Sequence, residues 1–250
     1  MKKLLMGCLC VLMLGACSKP TENEGLIVGF DNTFAPMGFL SSEGEVVGFD
    51  VDIAKEVGLL INEEFIFQNV DWDLKETELN AGNIDLIWNG YSITEERKNQ
   101  VLFSDPYLGN TQIIITLIDS TVDSKADLAG EVIAVQRNTS ALDAVNKEVD
   151  FVEALDSGKA VQLETNNDCF MELEAGRADA IVVDEVLARY YMKQKGENLY
   201  KVLEDSFGNE EYAIGLRKSD TDLCKKINDA LETLKNNGKF DEIKAKWFSE

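Results

Sequence analysis

Histidine is absent from all 250 residues. That excludes Ser-His-Asp and Cys-His catalytic systems, which use imidazole as their base, and it removes the commonest nitrogen ligand of zinc. Cysteine is scarce. Cys8, Cys10 and Cys17 crowd the N-terminus, and only Cys169 and Cys224 lie beyond it. Two distant cysteines make neither a disulfide framework nor a convincing zinc site, so no metal and no cofactor is expected. Only three prolines occur, and no low-complexity linker divides the chain, which favours closely coupled lobes over separate beads. Past the N-terminus no apolar run reaches the roughly 20 residues of a membrane-spanning helix. Positive charge is outnumbered, with 24 Lys and Arg against 46 Asp and Glu, a net charge of -22. Such a chain repels the phosphates of nucleic acid and stays off anionic lipid head groups. Salt screens the long-range field, so the overall charge chooses no ligand.

What is present begins with Met1-Lys2-Lys3 and a short apolar run from Leu4 to Leu14. A cationic start, a short apolar core and small residues at a cut make a secretory signal, expected over residues 1–16. The cut reads Leu14-Gly15-Ala16-Cys17, which resembles the bacterial lipobox. That resemblance implies acylation of Cys17 and attachment at the outer face of the cell membrane, each buried CH₂ contributing roughly 0.8 kcal/mol. Ser18 to Gly25 is polar and aperiodic, and residues 17–25 read as anchor and flexible tether.

The rest alternates β-like runs with helical patterns, an α/β organisation with largely parallel sheets. Strands are expected at Leu26–Phe30, Phe65–Phe67, Ile84–Trp88, Thr111–Leu117, Val132–Val135, Ala180–Val183 and Tyr212–Leu216. Helices are expected from Asp50, over Trp72–Ala81, at Thr94–Arg97, over Ser140–Val149 and Asp168–Ala175, from Asp184, and over Leu223–Lys235 and Phe240–Phe248. Asp71 suits the N-cap before Trp72, and Gly82 the C-terminal stop.

Three ordered segments then stand out. They are Val28 to Met37 with Val47-Gly48-Phe49-Asp50-Val51-Asp52-Ile53-Ala54; Asp85 to Arg97 with Phe103-Ser104-Asp105-Pro106-Tyr107; and Leu173-Glu174-Ala175-Gly176-Arg177-Ala178-Asp179-Ala180 with Val183-Asp184-Glu185. Together they resemble the polar amino-acid family of bacterial extracellular solute-binding proteins, family 3. The resemblance implies a two-lobed periplasmic-binding-protein type II fold with two hinge strands. Lobe 1 would comprise residues 26–110 and 212–250, and lobe 2 residues 111–211. It further implies a monomer that closes on a polar amino acid, glutamine or arginine among the candidates, and passes it to an ABC transporter permease.

It also assigns roles. Arg97 matches the clamp for the ligand carboxylate, where a planar guanidinium makes two parallel bonds that a lysine could not. Asp184 matches the acid for the α-ammonium, at a strand end where sites gather in α/β sheets. Ser92 and the backbone of Gly90 match head-group contacts. Thr139 and Ser140, at the start of a helix, present N–H groups suited to a carboxylate. Phe34 and Trp72 match aromatic walls around the ligand side chain, and Asp31 an acid at its far end. Asn89 and Trp88 stand where relatives carry small residues and are expected to narrow the pocket. Glu210 and Glu211 are expected at its rim. The turn Gln136-Arg137-Asn138 departs from the family, which has glycine near Asn138, and Arg137 there reads as surface charge.

Two other readings remain. One is a cyclohexadienyl-type dehydratase on the same fold, with Glu174, Glu185 or Asp31 as its acid; fold does not fix function. The other is a ligand-sensing module for a partner receptor. If anchor and trap are separate parts, Cys17→Ser should move the protein from the membrane to the soluble fraction while the purified variant keeps its affinity. Loss of binding by the purified variant would contradict that separation.

Overall fold

The structure, a computed structural model, describes residues 25–248. The leader at 1–16, Cys17 and the tether before Gly25 lie outside the described residues. Leu26–Phe30 nucleates the first sheet, pairing in parallel with Phe65–Asn69 on one side and Leu86–Ile87 on the other. Parallel strands require crossovers, and the helices Phe49–Ile61 and Lys75–Ala81 supply them. A 3₁₀ turn, Trp72–Leu74, precedes the second helix, with Asp71 Oδ1 accepting from Asp73 N at 3.0 Å. Gly82 ends the helix at φ 80°. Gly215–Leu216, far along the chain, inserts between Leu86–Ile87 and Leu102–Phe103, antiparallel to both. The helices Thr221–Asn236 and Lys239–Phe248 then pack back on Phe49–Ile61.

The second sheet has the order Val161–Leu163, Ile133–Gln136, Ala180–Asp184, Leu108–Leu117, Tyr200–Tyr212. Its last two strands are long and antiparallel, and they run between the two sheets. At their near ends Tyr107 N donates to Tyr212 O at 2.9 Å and Ser104 N to Ile214 O at 2.9 Å. Tyr200–Tyr212 escapes the sequence pattern for a physical reason. Register shifts occur between Val202 and Ser206 and again between Ser206 and Asn209. The first shift adds two residues and the second adds one, so no unbroken period of two survives in YKVLEDSFGNEEY. The helix Val149–Ala154 and a small sheet of Thr33–Phe34, Gly38–Leu40 and Val46–Val47 were not expected either.

Trp88 does not narrow the cleft. It is wholly buried, edge-on to Phe65 with centroids 5.8 Å apart and 6.4 Å from Tyr107. An indole of this area gains more by burial in the core than by lining a polar opening.

Asp50, in the first turn of Phe49–Ile61, ties this core to the cleft. Its Oδ2 accepts from Gly90 N at 2.8 Å and from Tyr107 Oη at 3.0 Å. Gly90 has φ +57°, and a Cβ there would come within 2.8 Å of the Phe34 ring, so glycine is required. Burial pushes the Asp50 carboxyl up from 3.8 to about 7. A carboxyl more basic in the folded chain than in the unfolded one costs stability as pH rises from about 4 to about 7. Asp50→Asn retains an acceptor for Gly90 and removes the titration. Denaturant unfolding over that window should show the variant gaining on the wild type by about 1.4 kcal/mol per pH unit. A difference constant with pH would count against this assignment.

Candidate functional site

Asp31 follows the strand Leu26–Phe30, Asn89 and Gly90 follow Leu86–Ile87, Thr139 follows Ile133–Gln136, and Asp184 ends Ala180–Asp184. Strand ends from both sheets thus converge, as in other open α/β sites, on one small cavity. Asp31, Phe34, Trp72, Asn89, Gly90, Ser92 and Arg97 line it from the first sheet's side, and Thr139, Ser140 and Asp184 from the second's. The ten residues assigned to the ligand line this cavity, and Trp88, Glu210 and Glu211 do not. One lining residue, Gln136, was not expected.

Arg97 is held in place by a short helix, Glu95–Lys98, whose N-cap Thr94 accepts from Arg97 N at 3.1 Å. The guanidinium lies over the Tyr91 ring at 4.4 Å, and its Nη1 donates to Ser92 O at 2.9 Å. Nε stands 3.8 Å from Glu76 Oε1, which accepts from Tyr91 Oη at 2.7 Å. Arg97 is only 6 % exposed. A guanidinium carries five N–H donors, so this fixed group still has donors for an anion in the cavity.

Asp184 precedes the helix Glu185–Lys195, yet its side chain makes no cap bond. Its Oδ1 instead accepts from Asn110 Nδ2 at 2.6 Å, Gln112 Nε2 at 3.0 Å and Tyr212 Oη at 2.6 Å. Burial first, then the nearby Glu210 charge, holds its carboxyl well above the usual range. Glu210 is half-buried at the hinge. Its Oε1 accepts from Ser92 Oγ, Asn110 Nδ2 and Gln112 Nε2, each at 2.7 Å, and from Ser140 Oγ at 3.3 Å. Glu211 is exposed and contributes its backbone oxygen to Ile93 N at 2.9 Å. Asn110 and Gln112 gave a faint signal as polar residues heading the apolar run IIITL; their partners come from distant sequence.

Polar contacts cross the cleft. Gln136 Nε2 donates to Asp31 Oδ2 at 3.0 Å, Ser140 Oγ to Ser92 Oγ at 3.1 Å, and Lys75 Nζ to Asn138 O at 3.2 Å. Arg137 Nε lies 2.5 Å from Asp73 Oδ2, so Arg137 is a cross-cleft partner rather than idle surface charge. Asn138 takes φ +52°, a left-handed conformation that asparagine tolerates better than other residues with a Cβ; this accommodates the departure from glycine. Lys75 is buried and pushed down to about 8 by that burial. Nothing in KETELNA distinguishes it from a surface lysine. Thr139 Oγ1 caps its helix, accepting from Leu142 N at 3.3 Å, and donates to Gln136 O at 2.7 Å. Glu174 accepts from Tyr191 and Tyr200 hydroxyls, and Glu185 pairs with Arg189; neither lines the cavity.

The sequence model of the bacterial extracellular solute-binding proteins, family 3, matches residues 26–250. The chain belongs to this family. It is 33% identical to a probable histidine-binding protein of Neisseria gonorrhoeae, across 96% of this chain and 92% of that one. It is 32% identical to an arginine-binding extracellular protein of Bacillus subtilis, across 100% of this chain and 99% of that one. A crystal structure of an ABC uptake transporter substrate-binding protein from Streptococcus pneumoniae with bound histidine superposes with a TM-score of 0.88. Identity there is 40%, covering 91% of this chain and 94% of that one. The architecture is the two-lobed type II fold with two hinge strands, Leu108–Leu117 and Tyr200–Tyr212.

In this family 3 protein the Gln136–Asp31 bond joins the lobes through a charged acceptor, a class of bond that contributes about 1.5 kcal/mol or more. Gln136→Ala should therefore weaken solute binding about tenfold in calorimetry without lowering the thermal stability of the unliganded protein by a comparable amount. Unchanged affinity would show that the contact does not help to hold the cleft closed.

Proposed function

We propose that the protein binds a polar amino acid between its lobes, outside the cytoplasmic membrane, and passes it to an ABC permease. The observation that carries this is the placement of one buried cation and one buried acid, Arg97 and Asp184, on the wall of one cavity. A free amino acid is a zwitterion. Burying either of its charges unpaired is costly, so a closed cleft must supply the opposite of each. Arg97 takes the carboxylate, with Ser92, Gly90 and the Thr139–Ser140 helix start around it, and Asp184 takes the ammonium. Phe34 and Trp72 flank the ligand side chain, and Asn89 fixes Asp31 at its far end by accepting from Asp31 N at 3.0 Å.

Asp31 gives a basic or amide side chain a partner, which keeps arginine and glutamine as candidates. The named ligands of the relatives, histidine and arginine, add histidine. The protein acts as a binder and not as a dehydratase on this reading. Glu174 and Glu185 are engaged away from the cavity, and Asp31 is tied to Thr33 at 2.6 Å and to Gln136. We take lobe 1 as residues 26–110 and 212–250, lobe 2 as 111–211, the working unit as a monomer, and the attachment to the cell membrane as a lipid on Cys17.

A thermal-shift screen of the common amino acids tests the class, since a ligand at 100 times its Kd stabilises the native state by about 2.7 kcal/mol. Polar and basic amino acids should shift the transition, and a flat response across them would sink the proposal. In calorimetry Arg97→Ala should cost at least about 3 kcal/mol of binding, the range for stranding one partner of a buried ion pair. Arg97→Lys should recover only part of that loss.

A further inference from the structure

Asp184 and Glu210 belong to different strands of the second sheet and meet at the hinge. The same two amide nitrogens serve both. Asn110 Nδ2 lies 2.6 Å from Asp184 Oδ1 and 2.7 Å from Glu210 Oε1. Gln112 Nε2 lies 3.0 Å from the former and 2.7 Å from the latter. The shared amides bring the two carboxyls to one site, and two carboxylates at one site resist ionising together unless a cation joins them. Glu210 Oε1 already accepts four donors, two of them the hydroxyls of Ser92 and Ser140 on the cavity wall. Burial holds the Asp184 carboxyl well above the usual range, and Asp184 is the partner that touches the cavity.

The neighbouring ionisable groups do not neutralise this pair. Tyr212 donates to Asp184, and its hydroxyl is held well above its usual range by burial. Tyr107, beside it, is raised in the same way and donates to Asp50. Glu185, next in the chain, pairs with Arg189, and Glu211 is exposed. Arg97 and Asp31 are the other charged groups on the cavity wall, and Arg97 faces Glu76 and Ser92 O.

We propose that Asp184 and Glu210 hold one proton between them in the closed cavity, and that the ammonium group of the bound amino acid displaces it. The exchange balances. The Asp184 O–H bond breaks and the proton leaves to solvent. An ammonium N–H then donates to the freed carboxylate. The pair changes from one negative charge to two while one positive charge arrives, so the local charge is conserved. Glu210 acts through Asp184 as a positioning residue and need not touch the ligand. This rests on the amino-acid reading above.

Calorimetry of arginine and of glutamine, neither of which titrates near neutrality, in two buffers of different ionisation enthalpy counts the protons directly. At mildly acidic pH the wild type should release close to one proton per ligand, and Kd should rise toward tenfold for each unit of pH lowered. Glu210→Gln keeps both hydrogen-bonding ends and removes the second acid. It should bind with little proton release and a flat pH profile. Binding by the wild type with no proton released overturns the proposal, even if the variant does not fold, and so does an unchanged proton count in Glu210→Gln. A wild type that binds neither amino acid removes the functional reading and this exchange together.

Discussion

Closing two lobes over a small charged molecule removes its charges from water, and each must meet its opposite within hydrogen-bonding distance or the closed form is not populated. Much of this structure follows from that constraint. Arg97 could not do its work as a free surface arginine, because ordering a long side chain costs entropy at the moment of binding. It is ordered beforehand instead. Thr94 caps its helix, the Tyr91 ring supports its plane, and Ser92 O takes one N–H. Asp50, deep in the core, fixes the backbone of Gly90 next along. A buried acid with a perturbed proton equilibrium is what the fold tolerates to keep that glycine in position.

The hinge is part of the same arrangement. Asn110 and Gln112 lie on one long strand, Glu210 and Tyr212 on the other, and all four surround Asp184. The strands that let the lobes move are thus lined with the groups that hold the acid of the cleft. A change in the charge state of Asp184 alters the bonding of both strands at once. On the proposed role of Asp184, ligand-dependent closure needs no separate relay, because the hinge strands and the ligand contact share side chains.

Much of this was legible in the sequence. The apolar strands LIVGF and AIVVD, the cap at Thr94, the stop at Gly82 and the acid after AIVV each obey a local rule, and local rules survive folding. The unread parts share one property, which is that their meaning lies in a distant partner. Lys75 is ordinary until Asn138 O arrives from the other lobe. Gln136 ends an apolar strand and becomes a cleft residue only because Asp31 faces it. Tyr200–Tyr212 hides behind its irregularities, and Glu210, read only as a rim residue, gains its place from four donors spread from Ser92 to Ser140. Trp88 was misread in the opposite sense, since the resemblance put it at the pocket while its side chain packs in the core against Phe65 and Tyr107.

The contacts between lobes divide into two kinds. Lys75 with Asn138 O, and Arg137 with Asp73, involve none of the groups assigned to the ligand. Ser140 with Ser92, and Gln136 with Asp31, use groups that the proposed ligand also needs. The second kind favours the closed form through the same groups proposed to meet the ligand, so its contribution is part of ligand-dependent closure. The first kind adds bias at any occupancy, and its ion pair is weak. Arg137 and Asp73 are partly exposed, and such pairs contribute about 1 kcal/mol or less. A trap held shut strongly by its own residues would present its closed shape whether loaded or empty, and a partner that reads shape could not tell the two apart. On the proposed assignment, differential contacts with Arg97 and Asp184 supply most of the shift. Both side chains are buried, so neither charge is answered by bulk water.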